Sequence, residues 1–340
     1  MTQPAGSSSP VGAPPAQVCR AEPGPVSLLH NVVERSFALD RRISWPGAPG
    51  RSRTLFAVLA FIAAMTLTSP PAAAQSLNLP RDGDHAIMFE RLRPNMESID
   101  SDFLSAAYFL SSRWAVSPRI AVVGELPYAR QDGLQNDFYY DGYFGYQYST
   151  AVSGSTIGNP YIGMEARVAS GPVFLELGVR PPLASEDEIG AVATGVVSDL
   201  TRWDAFLPDV VSIQTAFNVR EITPSHVVYR LRLSPVITIP TDGGIYDEDT
   251  GGAGDTELFA VYSFLIGYHG SKARFVAGTS GRALLTDDYA NLGRRTENQL
   301  ELHADFLSGS IRPGLDLFLP LGTASNVVPV VLGFNIAWVR

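Results

Sequence analysis

The chain has 340 residues, a net charge of -9 and 45% hydrophobic residues. The acidic balance excludes a nucleic-acid partner, whose phosphates demand a basic stripe. Its one cysteine, Cys19, excludes a disulfide framework, and no cysteine-based metal site is possible.

Residues 1–50 are rich in Pro, Gly, Ser and Ala, a composition that cannot offset its chain entropy by burial. They read as a disordered extension or a mis-assigned translation start. Residues 51–74 follow as a secretory signal. Arg51 and Arg53 give a positive n-region, Thr54 to Leu67 an apolar core, and Ala72-Ala73-Ala74 a small-residue cleavage site before Gln75. The core is too short to cross a bilayer comfortably, and Pro70-Pro71 breaks it. Residues 75–340 then form the exported domain.

Beyond Gln75 the chain alternates with period two. Val211, Ile213, Thr215, Phe217 and Val219 share a face opposite Ser212, Gln214, Ala216, Asn218 and Arg220. The same division runs through 173–180 and 299–306, one face apolar and the other charged. Twelve such strands are expected, at about 85–94, 103–112, 119–130, 155–168, 173–182, 210–221, 226–240, 257–268, 273–284, 299–307, 311–321 and 328–339. In the first, Glu90, Arg91 and Arg93 blur the alternation. Short turns at 115–118, 169–172, 222–225, 269–272 and 308–310 alternate with long loops at about 95–102, 131–154, 185–209, 241–256, 285–298 and 322–327.

Even strand number with alternating short and long connections predicts an all-β fold, a closed antiparallel transmembrane β-barrel. A secreted β-sandwich is the soluble alternative. Outward aromatics such as Tyr108, Tyr128, Tyr229, Tyr262, Phe264, Tyr268, Phe334 and Trp338 fit interfacial girdles. The last strand, with Val330, Leu332, Phe334, Ile336 and Trp338 on one face, resembles the signal read by the outer-membrane insertion machinery, although Val339-Arg340 stands where an aromatic is usual.

GNPYIGMEARV (158–168), a Ser-Gly-Pro turn and VFLELGVRPPLA (173–184) resemble bacterial outer-membrane barrels of the transporter type, including phenol-degradation-pathway (MetA-pathway) transporters. The resemblance implies passage of small solutes, hydrophobic or aromatic ones among them, across the bacterial outer membrane. It implies lipid and lipopolysaccharide surroundings and no catalytic residues.

The polar faces place Arg167, Arg180, Arg220, Arg230, Arg232, Arg274, Arg282 and Arg312 in the lumen with Glu125, Glu165, Glu176, Glu257, Glu301, Asp305 and Asp316. His303 shares that face. The signs nearly balance, so the expected lumen is narrow, mixed in charge and weakly selective, or blocked by its own ion pairs. Arg230 and Arg232, two like charges on one strand, are the selectivity candidates.

Three loops stand out. The 138–148 stretch carries Tyr139, Tyr140, Tyr143 and Phe144, aromatics that stack on sugars or greasy solutes, or else extend the strands and their girdle. Ser185 to Glu188 forms a capping box, and Ile189, Val192, Val196, Leu200 and Trp203 follow at helical spacing. A short amphipathic helix is expected there, folded into the mouth as a lid or lying on the outer leaflet. Asp247-Glu248-Asp249 lacks calcium-loop spacing and reads as solvated acid. No metal or cofactor is expected.

Rival classes are a structural barrel with a blocked lumen and a lipid hydrolase. A serine hydrolase would need a His-Ser pair near the outer leaflet. His269-Gly270-Ser271 and Ser225-His226 fall at periplasmic turns, and His303 with Asp305 has no serine obviously beside it.

Overall fold

The computed structural model describes residues 79–80, 85–96, 99–140, 145–168, 171–241, 256–286, 296–322 and 324–340, with backbone only over 99–100, 134–140 and 145–152. The N-terminal extension, the signal segment, Tyr143, Phe144 and the acidic 247–252 stretch lie outside them.

The strands are β1 (His85–Asn95), β2 (Ile99–Ser101), β3 (Ala106–Ala115), β4 (Ile120–Tyr140), β5 (Gly145–Ile157), β6 (Tyr161–Arg167), β7 (Val173–Arg180), β8 (Val210–Ile222), β9 (Val227–Pro240), β10 (Glu257–His269), β11 (Ala273–Leu284), β12 (Thr296–Phe306), β13 (Ile311–Leu321) and β14 (Val330–Val339). Antiparallel pairing runs from β6 through β4, β3, β1, β14 and on down to β7, which returns to β6. The circuit is closed. β5 and β6 are one wall strand broken at Gly158-Asn159-Pro160, so the wall has twelve strands and β2 is an addition on the edge of β4.

Closure gives every wall strand two partners, the condition for spanning hydrocarbon with sheet. Burial is inverted relative to a soluble protein. Glu90 and Arg180 are 0% exposed, whereas Ile162 is 61% and Leu332 59% exposed. Charged faces turn inward and apolar faces outward on every wall strand that the sequence had divided in two. An apolar belt of this extent in water would be a large association surface; in a bilayer it is solvated.

Two connections differ from expectation. Residues 131–140 and 145–154 continue β4 and β5 upward as paired strand instead of loop, the pairing running from Tyr128–Ile157 to Tyr140–Gly145. Tyr139 and Tyr140 therefore lie on β4. At the same end, β3 starts at Ala106 because Asp102 Oδ1 accepts from Ser105 N and Oγ, at 2.7 and 2.9 Å, fixing a turn where strand was expected.

Candidate functional site: a plugged lumen

Eight strands leave an interior just wide enough for side chains, and twelve leave room for more. The chain fills that room with its own loop. After β7, Pro181-Pro182 stops the strand and residues 185–209 turn into the barrel. A 3-10 turn (Glu186–Glu188) leads into α1 (Ile189–Ser198) and then a second 3-10 turn (Trp203–Phe206). Ser185 accepts from Asp187 N at 3.3 Å, while the Glu188 carboxylate of the expected capping box instead accepts from Ser155 N on β5 at 3.1 Å.

The sequence of α1, IGAVATGVVS, explains its position. Its polar side chains are two hydroxyls, and both are satisfied internally. Thr194 Oγ1 donates to Gln131 Oε1 of β4 at 2.7 Å, and Ser198 Oγ to Thr194 O at 2.6 Å. A helix apolar around its circumference is a buried helix. Of its ten residues, Ile189 faces out at 71% exposure, while 191–196 are all buried. The lid alternative holds, and it reaches deep into the barrel.

Plug and wall share one apolar cluster. Val192, Val196, Trp203 and Phe206 pack with Leu92, Phe109, Phe259 and Phe318 from strands around the barrel. The Trp203 and Phe259 rings lie 4.4 Å apart, and Arg282 covers Trp203 at 4.5 Å. Beside α1, toward Arg282 and Glu297, a cavity of about 20 Å³ remains.

Two buried arginines bind the plug. Arg202, at the plug's deep end, meets Glu90 of β1 at 2.6 Å, Glu125 of β4 at 3.1 Å and its own Asp199 at 2.7 Å. Its guanidinium lies 3.8 Å from the Phe109 ring centroid. Burial alone would lower the Arg202 pKa, but the Glu90, Asp199 and Glu125 charges outweigh it and hold the group well above its ordinary value. Arg180 of β7 meets Glu125 at 2.6 Å and Asp204 of the plug at 3.3 Å. Burial pushes the Asp204 carboxyl above its usual range, with Arg180 and Ser212 pulling the other way.

Asn159, in the β5–β6 break, is the hinge of this arrangement. Its Nδ2 donates to Asp204 O and Leu207 O at 3.1 and 2.7 Å, and its Oδ1 accepts from Leu183 N and Ala184 N at 2.7 and 2.9 Å. One amide ties both ends of the plug to the wall. Its backbone carbonyl also accepts from Arg180 Nη1 at 2.7 Å.

Several other lumenal candidates pair with one another across the wall strands. Arg232 pairs with Glu176 across two strands and donates to Asn218 Oδ1 at 3.0 Å. The charge that had looked hardest to neutralise is thus neutralised by a strand not adjacent to its own. Arg230 is fully buried. Glu165 pairs with Arg113 at 2.8 Å. Arg220 donates to Leu79 O at 3.1 Å, bringing the N-terminal segment into the periplasmic end, where Leu79 packs on Ala86, Met88 and Ala337. Arg167, at the end of β6, is exposed at the periplasmic rim and lies over the Phe174 ring of β7.

His303 bonds with Asp316 at 2.6 Å and Glu301 at 2.9 Å, not with Asp305, which pairs with Arg274 at 2.8 Å. Opposed positions on β12 and β13 bring His303 to Asp316, a register no single-strand reading contains.

Sequence reasoning missed Asn159, Arg202, Asp204 and Glu90 as site residues. The available signal was Gly-Asn-Pro interrupting a strand and charges embedded in a helical loop. Among the described residues no cluster of His, Cys, Asp and Glu has metal-binding geometry.

A twelve-stranded antiparallel barrel with charged interior, apolar exterior and an inserted loop is an outer-membrane-type barrel with a lumenal plug. No protein-family model matches the chain, and no curated protein matches it. Among solved structures, it is similar to the COG4313 outer membrane channel from Pseudomonas putida F1, with 10% identity, a TM-score of 0.48, and coverage of 80% of this chain and 100% of that one. It is similar to the NanC porin at 7% identity and TM-score 0.43, covering 75% of this chain and 100% of that one. LpxR from Salmonella typhimurium gives 7% identity and TM-score 0.40, with coverage of 75% and 100%. None of these lends its activity to this chain.

Proposed function

We propose that the protein is a channel of the bacterial outer membrane for small solutes, held closed in this structure by the 185–209 plug. The observation that carries this reading is the plug itself. A barrel needed only as a wall has no use for a lumen wide enough to require filling, whereas a channel needs a removable obstruction. The plug is held to the wall by side chains, with Arg202 and Asn159 at its anchor points, rather than by a strand ladder. The apolar surfaces of Val196, Trp203 and Phe206 and the mixed charges of the lumen support small, hydrophobic or aromatic solutes, in line with the sequence resemblance to phenol-pathway transporters.

The reading includes no catalytic step. His303 has a carboxylate on each ring nitrogen. Tight burial of the plug also supports a second reading, a structural barrel that never opens. Conductance separates the two. Residues 75–340, refolded and placed in planar bilayers, should be nearly silent as wild type and show stepwise conductance as Arg202→Ala. Silence of both this variant and a plug-shortened barrel of intact fold would leave the structural reading.

A further inference from the structure

The outer wall carries a feature that the channel reading leaves unused. On β1 the inward positions are Ala86, Met88, Glu90 and Leu92, and the outward ones include Arg91 and Arg93. These are the residues that blurred the alternation in the sequence. The blur is a real departure: two cations stand on the face that should be apolar.

Their height matters. β1 runs upward from the periplasmic end, so at ~3.3 Å per residue and the usual tilt Arg91 and Arg93 stand ~15–20 Å above its start, toward the outer edge of an apolar band ~25 Å tall. A cation on the lipid face is destabilising at the midplane and nearly neutral at the interface. Register then extends the patch sideways. Arg91 opposes Tyr108 of β3, which opposes Tyr128 of β4. One row higher, Ala106 of β3 opposes Arg130 of β4. Three arginines thus share one sector of the wall, whereas the other described outward cation-bearing positions on the wall strands are none.

Beneath them lies an apolar and aromatic platform. Phe89, Tyr108 and Tyr128 form a ladder of rings, 6.1 and 5.8 Å between successive centroids, with Leu110 and Leu126 exposed in the next row down. The arginines are also positioned from one side. Arg91 donates to Phe103 O and lies 4.4 Å from the Phe103 ring centroid, and Arg93 donates to Ser101 O at 3.1 Å. Arg130 pairs with Asp132 at 2.8 Å, which tempers its charge, and Asp102 is occupied by Ser105. Among the described residues the Arg91 Nε, itself buried, has no hydrogen-bond partner.

Cations at the headgroup level above a greasy platform match one kind of molecule, an anionic amphiphile whose charge is carried by phosphate and whose chains run down the wall. We infer that Arg91, Arg93 and Arg130 form a binding site for the phosphates of an outer-leaflet glycolipid, the lipid A part of lipopolysaccharide, with its acyl chains on the Phe89, Tyr108 and Tyr128 ladder. Arginine suits the task because its fork bonds phosphate bidentately.

The test is native mass spectrometry of refolded residues 75–340 titrated with bisphosphorylated lipid A. Wild type should retain one lipid A, and removing both phosphates from the lipid should weaken binding at least tenfold. Arg91→Gln/Arg93→Gln/Arg130→Gln should lose binding to the same extent while keeping heat-modifiable mobility, and the corresponding triple Lys variant should keep an intermediate affinity. Excess phosphatidylglycerol or inorganic phosphate should not displace the lipid A. Equal binding of dephosphorylated lipid A by wild type overturns the proposal even if the Gln variant fails to fold. Displacement by phosphatidylglycerol at equal concentration overturns it too, leaving a general anionic-lipid surface.

Discussion

Arg202 and Glu90 meet at 2.6 Å in the middle of the barrel, one carried by the plug and the other by the wall strand β1. Both side chains are almost wholly buried, at 5% and 0% exposure. Removing one member of such a pair strands the other's charge, at a cost of about 3–5 kcal/mol. Arg202→Ala should therefore undock the plug while leaving the strand ladder intact. Limited chymotrypsin digestion reads this directly, since Arg202→Ala leaves no tryptic site in the plug and the bond after the buried Trp203 becomes accessible only when the plug undocks. Glu90→Gln should expose that bond to cleavage, with heat-modifiable mobility unchanged.

Inside the plug, Gly195 of α1 lies against the Phe206 ring so closely that a β-carbon would overlap it. Gly195→Val should consequently loosen the plug, as overpacking of a tight site costs about 1–3 kcal/mol. Phe206→Ala is expected to loosen it by a different route, the loss of a buried ring, at about 3–5 kcal/mol. The double substitution Gly195→Val/Phe206→Ala should cost less than the sum, because valine fills part of the space vacated. A double-mutant cycle on plug protection from protease measures this coupling. Strict additivity would mean that the two sites do not touch in solution.

The membrane face has its own test. Leu302 lies on the outward face of β12, 46% exposed. Arginine there, near the midplane, should destabilise the barrel in phospholipid vesicles by about 2–4 kcal/mol. At an exposed position of a water-soluble sandwich the same change would stay within about 0.5 kcal/mol. Urea unfolding of Leu302→Arg against wild type decides between them.

The wall was legible because a lipid-solvated barrel writes its polarity twice, as period-two alternation and as the inversion of what a soluble core would bury. β11 and β13 occupy the expected 273–284 and 311–321, each entered through a short polar turn. β5 was hidden because Tyr, Ser and Gly in 145–154 suit a loop composition as well as a strand. The plug's helix could be read from spacing, but its destination could not. The deciding fact is the width of the lumen, which depends on all twelve strands together. Pair partners were beyond reach for the same reason: Glu176 reaches Arg232 through the relative register of β7, β8 and β9, which no one strand encodes.

Asn159 provides the sharpest substitution, because its amide donates at one end and accepts at the other. Asn159→Asp preserves shape and still accepts from Leu183 N and Ala184 N, but it turns the donor end into an oxygen facing the carbonyls of Asp204 and Leu207. Those carbonyls then lose their partner, and buried unsatisfied groups cost about 1–3 kcal/mol each. The new carboxyl is favoured in its protonated form, which restores one donor, so its folded-state pKa lies above its unfolded value. A docked state that binds more protons than the undocked state gains stability as pH falls through that folded pKa and loses it as pH rises. Trypsin sensitivity of the Asn159→Asp plug should accordingly be high at neutral pH and decline toward acid, relative to wild type at each pH. Asn159→Ala, which has no proton to regain, should remain sensitive across the range. If Asp and Ala variants follow the same pH profile, the amide does not hold the plug.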